Sequence, residues 1–376
     1  MRPRNARALV TVATTLALLP GVAGCSRSPE GASPGVATAP NATQGGARDP
    51  WFAVLRPDEL QIFNGKRAVV SVAGEFDGGE ANWTTDGRYV VTTPPLDSAR
   101  QQLTAVEAAT GRKIEVPCQG CFDVAPVGGS RLIVTNYDSV IQRIDLSADT
   151  SMVRMDTDLP SFEEPPRIVG GIAGEAVIFA PNSGPTSKSS TLTLFYVDWA
   201  GKSRSTTIGN GKLLGWVTSA TRTVYSSPRL ALSLSPSDAA CDGSSEVVLV
   251  DPTNGRLITT DASAVQSQSE LEVSGGGFGV QGLWWSSDGR LNAVIQSWRC
   301  DPGLSPGEVP VGKQGVWRLD DNKWSKTGEF DGLHIRSIDA DTQIVVENDD
   351  RVYLIEKGMR TMVSEGGGTI AIPEPQ

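Results

Sequence analysis

Histidine is all but missing from this sequence: one residue in 376, His334. A His-rich metal centre therefore has no ligands to draw on, and Ser-His-Asp catalysis would rest on a single side chain. The strings G-x-S-x-G at Gly31–Gly35 and Gly303–Gly307 and G-x-G-x-x-G at Gly277–Gly282 lack the strand-to-helix context of a nucleophile elbow or a dinucleotide fingerprint, and a P-loop and an Asp-x-Asp-x-Asp-Gly loop are absent, so no catalytic residue is assigned. No stretch sustains a 3.6-residue apolar period over helical length, which predicts few helices. Positive charge is scarce, with 33 Lys+Arg against 43 Asp+Glu and a formal net charge of −10. That balance argues against nucleic-acid partners and against broad attraction to anionic lipid.

The first 24 residues are the exception to this acidity. Arg2, Arg4 and Arg7 precede an apolar, small-residue run that is too short and Thr-rich for a comfortable membrane span, which is the layout of a secretory signal. The run ends in Val22-Ala23-Gly24-Cys25, which resembles a bacterial lipobox. The resemblance implies cleavage before Cys25 and lipidation of its sulfur, with residues 1–24 as signal peptide. Removing those residues would leave 30 Lys+Arg against 43 Asp+Glu, about −13. Membrane attachment would then come from the lipid on Cys25, on the extracytoplasmic side of the cell membrane. Between Cys25 and residue 50 there is no aromatic and only Val36 among large aliphatics, so residues 25–50 are expected to form the lipidated Cys and a disordered tether.

Four further cysteines remain: Cys118, Cys121, Cys241 and Cys300. In an exported chain an even number is most simply two disulfides, although four cysteines allow three connectivities. Cys118-Gln119-Gly120-Cys121 also has redox-motif spacing, but its surroundings read as strand, without the helix N-terminus that lowers a thiol pKa. Zinc would need further ligands that a chain with one His hardly supplies.

The mature region repeats a hairpin: an apolar strand, a tight polar turn, then a second apolar strand. Copies begin at Leu60, Leu103, Val140, Leu192, Glu246, Gly315 and Arg351, and another short strand precedes each, at residues 52, 89, 132, 176, 231, 291 and 343. Trp83-Thr-Thr-Asp-Gly-Arg88 and Trp285-Ser-Ser-Asp-Gly-Arg290 mark the turn from a still earlier strand. Four-stranded antiparallel units repeated about seven times indicate an all-β, seven-bladed β-propeller over residues 51–376. A lone blade exposes two apolar faces and gains a core only between neighbours. The first unit has three strands and "GGTIAIP" at 367–373 is left over, so the C-terminal strand is expected to close the ring within blade one.

The turns "WTTDGR" and "WSSDGR" resemble the W-S-P-D-G-R signature of TolB-type, WD40-like propeller repeats, though without its proline. "AATGRKIEV" and "DPTNGRLIT" are similar to hairpins of quinoprotein-like propellers. With the lipobox and tether, the chain resembles actinobacterial envelope lipoproteins. The resemblance implies a propeller and little about activity, because one fold hosts many functions.

Turns of a propeller alternate between two faces. The Asp-Gly-Arg and Thr-Gly-Arg turns share one face, and long insertions at 181, 235 and 297 share the other. Cys241 and Cys300 fall at equivalent places in the last two, so a bond between them is natural. Loops on a rigid scaffold commonly carry binding. Trp298, Arg299, Asp301, Glu163, Glu164 and Arg167 are therefore the candidate ligand-binding residues, and Trp298 is set apart from the other eight tryptophans, which are expected to pack between blades. His334, in "FDGLHIRSID", reads as an ordinary strand residue. The favoured expectation is a binding or scaffold module for an envelope protein or cell-wall polymer, with no cofactor. The alternative is a calcium-dependent hydrolase or lyase of a lactone or glycan, with Asp77, Glu80, Asp123 and Glu164 as candidate ligands near the axis, although their spacing defines no coordination shell.

Overall fold

The computed structural model describes residues 49–76, 80–93, 102–148, 150–162, 166–179, 192–208, 216–223, 229–235, 244–268, 276–286, 288–301 and 308–373. The proposed signal peptide, Cys25 and almost all of the tether, as well as Cys241, Glu163 and Glu164, lie outside them.

Seven four-stranded antiparallel sheets are present. Blade one contains β1 (Trp51–Leu55), β2 (Glu59–Asn64) and β3 (Arg67–Ala73). Blade two contains β4 (Ala81–Trp83), β5 (Tyr89–Thr92), β6 (Gln102–Glu107) and β7 (Lys113–Pro117). Blade three follows with β8 (Cys121–Pro126), β9 (Arg131–Asn136), β10 (Ile141–Asp145) and β11 (Val153–Arg154), and blade four with β12 (Arg167–Ile172), β13 (Glu175–Phe179), β14 (Leu192–Val197) and β15 (Ser203–Ile208). Blade five has β16 (Trp216–Thr223), β17 (Arg229–Ser235), β18 (Glu246–Val250) and β19 (Leu257–Thr259), after which comes the short α1 (Ser263–Gln268). Blade six has β20 (Gly276–Trp285), β21 (Leu291–Cys300), β22 (Glu308–Asp320) and β23 (Lys323–Phe330); blade seven has β24 (Gly332–Ser337), β25 (Thr342–Glu347), β26 (Val352–Glu356) and β27 (Met359–Ser364). The last strand, β28 (Thr369–Ala371), returns to blade one and pairs antiparallel with β1, setting Ala371 opposite Ala53 and Thr369 opposite Leu55. The C-terminal strand thus closes the ring, as the leftover strand in the sequence implied.

Burial follows position within the blade. Strands such as β9 and β5 are buried along nearly their whole length, because both faces meet a neighbouring blade, whereas outer β7 alternates buried and exposed residues. Each of the seven blade-to-blade interfaces holds its own apolar cluster. The interface between blades seven and one, for example, packs Phe52, Val54 and Phe63 against Ile344, Val346 and Leu354. Among the described residues no helix is long and apolar enough to cross a membrane.

The two Trp-x-x-Asp-Gly-Arg turns have the same construction. Thr84 and Ser286 donate their hydroxyls to Asp86 and Asp288, each at 2.6 Å. The backbone N–H groups of Arg88 and Arg290 donate to the same carboxylates. Gly87 and Gly289 take φ of +67° and +77°, a conformation that any Cβ would strain. The Asx-type bonds and the left-handed glycine reverse the chain in four residues, which is why this short string recurs at the end of an innermost strand. Trp83 adds a second role, its Nε1 donating to the Ala371 carbonyl of the closing strand at 3.1 Å.

Candidate site at the channel mouth

The first strand of each blade lies innermost, so β4, β8, β12, β16, β20, β24 and β28 ring the axis. The N-terminal ends of these strands share the face of the blade-to-blade connections and line the mouth of the central channel. Three of them, in blades two to four, bring together side chains that are far apart in sequence.

Arg167, the first residue of β12, reaches Asp123 of β8 with Nε at 2.8 Å and Nη2 at 3.2 Å. Asp123 also accepts the Ile168 backbone N–H at 2.9 Å. The carboxylate is 7% exposed, so it is held in a nearly dry place by a bidentate, charge-assisted pair that fixes its orientation. The hydrogen bond from Arg167 to Asp123 raises the guanidinium pKa, against some desolvation and with help from the Asp123 and Glu80 charges. Glu80, just before β4, retains exposed surface, yet the concave mouth surrounds its carboxyl with protein. Desolvation, and then the Asp123 charge, raise its pKa against the pull of Arg167.

Beside this charged pair lie two rings. Phe122 of β8 stacks on Tyr137 with centroids 4.8 Å apart and planes 23° apart, and the Arg167 guanidinium sits 5.5 Å from the Phe122 centroid. Tyr137 is 47% exposed, the only aromatic among the described large hydrophobics left open to solvent to that extent. Its turn is anchored by its own N–H donating to the Gly120 carbonyl at 3.1 Å, and the Cys118–Cys121 disulfide staples the connection containing Gly120. The expected structural bond between those two cysteines is present. Cys300 is also disulfide-bonded.

Of the sequence-derived candidates, Arg167 belongs to this site. Trp298 does not offer a contact surface: it is 7% exposed, and its indole covers Gly277, the residue directly across the ladder on β20. The correction has a plain cause. The stretch read as a long loop from 297 is largely sheet, because β21 and β22 continue their pairing through Ser297↔Val311, Trp298↔Pro310, Arg299↔Val309 and Cys300↔Glu308. A large ring beside a glycine fills the space that the missing side chain leaves. Arg299 points the other way and is exposed, while Asp301 is partly buried.

Of the calcium candidates, Asp77 and Glu164 lie outside the described residues. Glu80 and Asp123 do converge, but both Asp123 oxygens are committed to Arg167, and among the described residues no group of three or more His, Cys, Asp or Glu side chains is placed to hold a metal ion. A separate cleft of about 380 Å³ between blades five and six is lined by Glu246, Thr260, Asp261, Phe278 and Trp324, and Trp324 Nε1 is already satisfied by Thr260 Oγ1 at 2.9 Å.

The chain matches no known protein-family profile and no curated protein sequence. It does match solved structures. The β-propeller domain of the Trilobed protease from Pyrococcus furiosus, described as having an open velcro topology, aligns with a TM-score of 0.50 at 9% identity, covering 81% of this chain and 89% of that one. YCF48 bound to D1 peptide aligns at 0.43, with 12% identity and 84% of each chain covered, and the mitotic checkpoint complex at 0.46, with 10% identity, covering 81% of this chain and 86% of that one. The chain has the fold of a WD40-like seven-bladed propeller. At these identities the likeness is one of fold alone.

Phe122 and Tyr137 were not singled out from sequence. The available signal was positional: Phe122 falls where a blade-to-blade connection enters innermost β8, and Tyr137 in the turn after β9, both on the face already chosen for binding.

Proposed function

We propose that the protein is a binding module at the outer face of the cell membrane. A lipid on Cys25 anchors the propeller, and the channel mouth of blades two to four engages an envelope protein or cell-wall polymer. The observation that carries this reading is the exposed Tyr137 ring, stacked on Phe122 beside an Arg167 already locked to Asp123. Tyr and Arg dominate binding hot spots, and a platform whose rotamers are fixed before contact loses less entropy on binding. The lipobox-like Cys25 supports the anchor, and the tether composition supports reach from the membrane.

One experiment in cells tests both parts. A photo-crosslinking residue at position 137 is expected to give discrete adducts with envelope components that the same residue at 299 does not give. Adding R167A is expected to reduce those adducts at least tenfold. Adducts of equal yield from both positions, or insensitive to R167A, would remove the mouth of blades two to four from the proposal. In the same cells C25S is expected to move the chain from the membrane to the soluble fraction and abolish its acyl label. Continued membrane retention of C25S would refute the anchor.

A further inference from the structure

Among the described residues, Arg336 is a cation without an acid. It lies on β24, the innermost strand of blade seven, and its guanidinium stands 5.4 Å from the ring centroid of Trp284 on β20. Nη1 approaches Gly282 of the same strand and donates to the Ile335 carbonyl at 3.0 Å. The group therefore spans the inner strands of blades six and seven. No carboxylate among the described residues reaches it, whereas Arg167 across the mouth has Asp123. Among the described residues, one hydrogen bond and one aromatic face engage only part of its five N–H donors.

Such a residue is costly to keep. Burial alone pulls the Arg336 pKa down, and a cation set in a protein wall without a counter-charge opposes folding. Solvent nevertheless reaches it, since its surface is only partly covered. On an innermost strand, the channel offers that access. His334 is two residues earlier on the same strand, hence on the same side and about 6–7 Å nearer the mouth. Desolvation, and then the Arg336 charge, lower the His334 pKa, so near neutrality the ring is uncharged and the wall presents a single positive charge.

We infer that the channel wall between blades six and seven is a carboxylate-binding site, in which Arg336 grips a carboxylate that enters from the mouth past His334. A planar guanidinium and a planar carboxylate meet through two parallel N–H···O bonds. One cation also matches one negative charge. A dianionic phosphate would set two charges against one, inside a chain of net charge −10 whose channel mouth already holds Glu80 and Asp123. The site is independent of the surface formed by Tyr137 and Arg167 and stands or falls without it.

The test is a titration of the purified full chain, followed by calorimetry and thermal melting. Sodium acetate is compared with sodium chloride and sodium phosphate at equal ionic strength, and a short neutral peptide bearing a free C-terminal carboxylate is compared with its amide. Acetate is expected to bind saturably beyond any chloride effect. R336M is expected to weaken that binding at least tenfold, and R336K, which keeps the charge but loses the fork, to weaken it several-fold while folding normally. Free peptide binding at least tenfold tighter than acetate, with its amide silent, would identify a chain terminus as the source of the carboxylate. Equal binding of acetate and free peptide would identify a small free carboxylate. The inference is overturned if acetate has no effect beyond chloride, if R336M and R336K both bind it like the wild type, or if phosphate binds more tightly than acetate.

Discussion

Glu107 and Glu80 belong to the same blade, and their carboxyl pKa values move in opposite directions. Glu107, at the end of β6, accepts the Thr110 hydroxyl at 2.7 Å and Arg88 Nε at 2.8 Å. Thr110, and behind it Arg88 and Arg112, lower its pKa from the ordinary 4.5, against a desolvation cost. The stability it contributes is therefore present above pH 4.5 and disappears as pH falls through the lowered value. Glu80 is the reverse: its raised pKa means that the folded state favours the proton. Its contribution is complete below 4.5 and is lost as pH rises through the raised value. Urea unfolding from about pH 3 to pH 8 separates the two. E107Q is expected to cost about 2 kcal/mol at neutral pH, the scale of hydrogen bonds to a charged group, and to flatten the acid limb. E80Q is expected to leave the acid limb intact and abolish the loss of stability that begins above pH 4.5. Unchanged slopes in either variant would refute the corresponding assignment.

At the scale of the element, blade six shows how packing overrides a local reading. Pro302, Gly303, Pro306 and Gly307 signal a loop, and the sequence contains nothing to say how far the flanking strands continue beside it. The ladder continues as far as Cys300↔Glu308, and Trp298 finds its place over Gly277 because no Cβ stands there. A methyl at 277 would fall inside van der Waals contact with the indole, so G277A is expected to destabilise by about 1–3 kcal/mol, as overpacking does. W298A removes the ring and opens a cavity, so it too is destabilising. The double variant G277A/W298A should be less damaged than the sum of the two, because the added methyl then meets space. Strictly additive values in chemical denaturation would show that the two residues do not share that contact. The seven hairpins, by contrast, were legible because each carries its own turn chemistry, and Gly87 and Gly289 report a backbone requirement that is local. The Asp123–Arg167 pair was not legible, since its members are 44 positions apart and meet only through the curvature of the ring.

The whole molecule depends on the ring's last strand, a feature the sequence revealed through a count of strands: three at one end and one at the other. What it did not reveal is how closure reaches into a second blade. Ile370 is 4% exposed and joins the cluster between blades seven and one, while Ala371 packs with blade two and accepts the Trp83 hydrogen bond. Strand β28 therefore ties three consecutive blades. The apolar contact between blades one and seven survives without it, because Phe52 and Phe63 still face Ile344 and Val346. Deleting residues 367–376 is thus expected to leave a folded but weakened ring. The losses are a buried Ile, worth about 2–5 kcal/mol, and the ladder and indole bonds, each about 1 kcal/mol. Together they correspond to a fall in melting temperature on the order of 10 °C. The deletion also frees the channel-side edge of β1, an apolar strand with unpaired backbone groups, and such edges recruit strands from other chains. Concentration-dependent oligomers in analytical ultracentrifugation should appear in the deletion variant, and W83F, which loses one bond but keeps β28, should remain monomer-like at the same concentration. A truncated chain that melts like the parent and shows the same sedimentation would mean that the seven apolar interfaces alone close the ring.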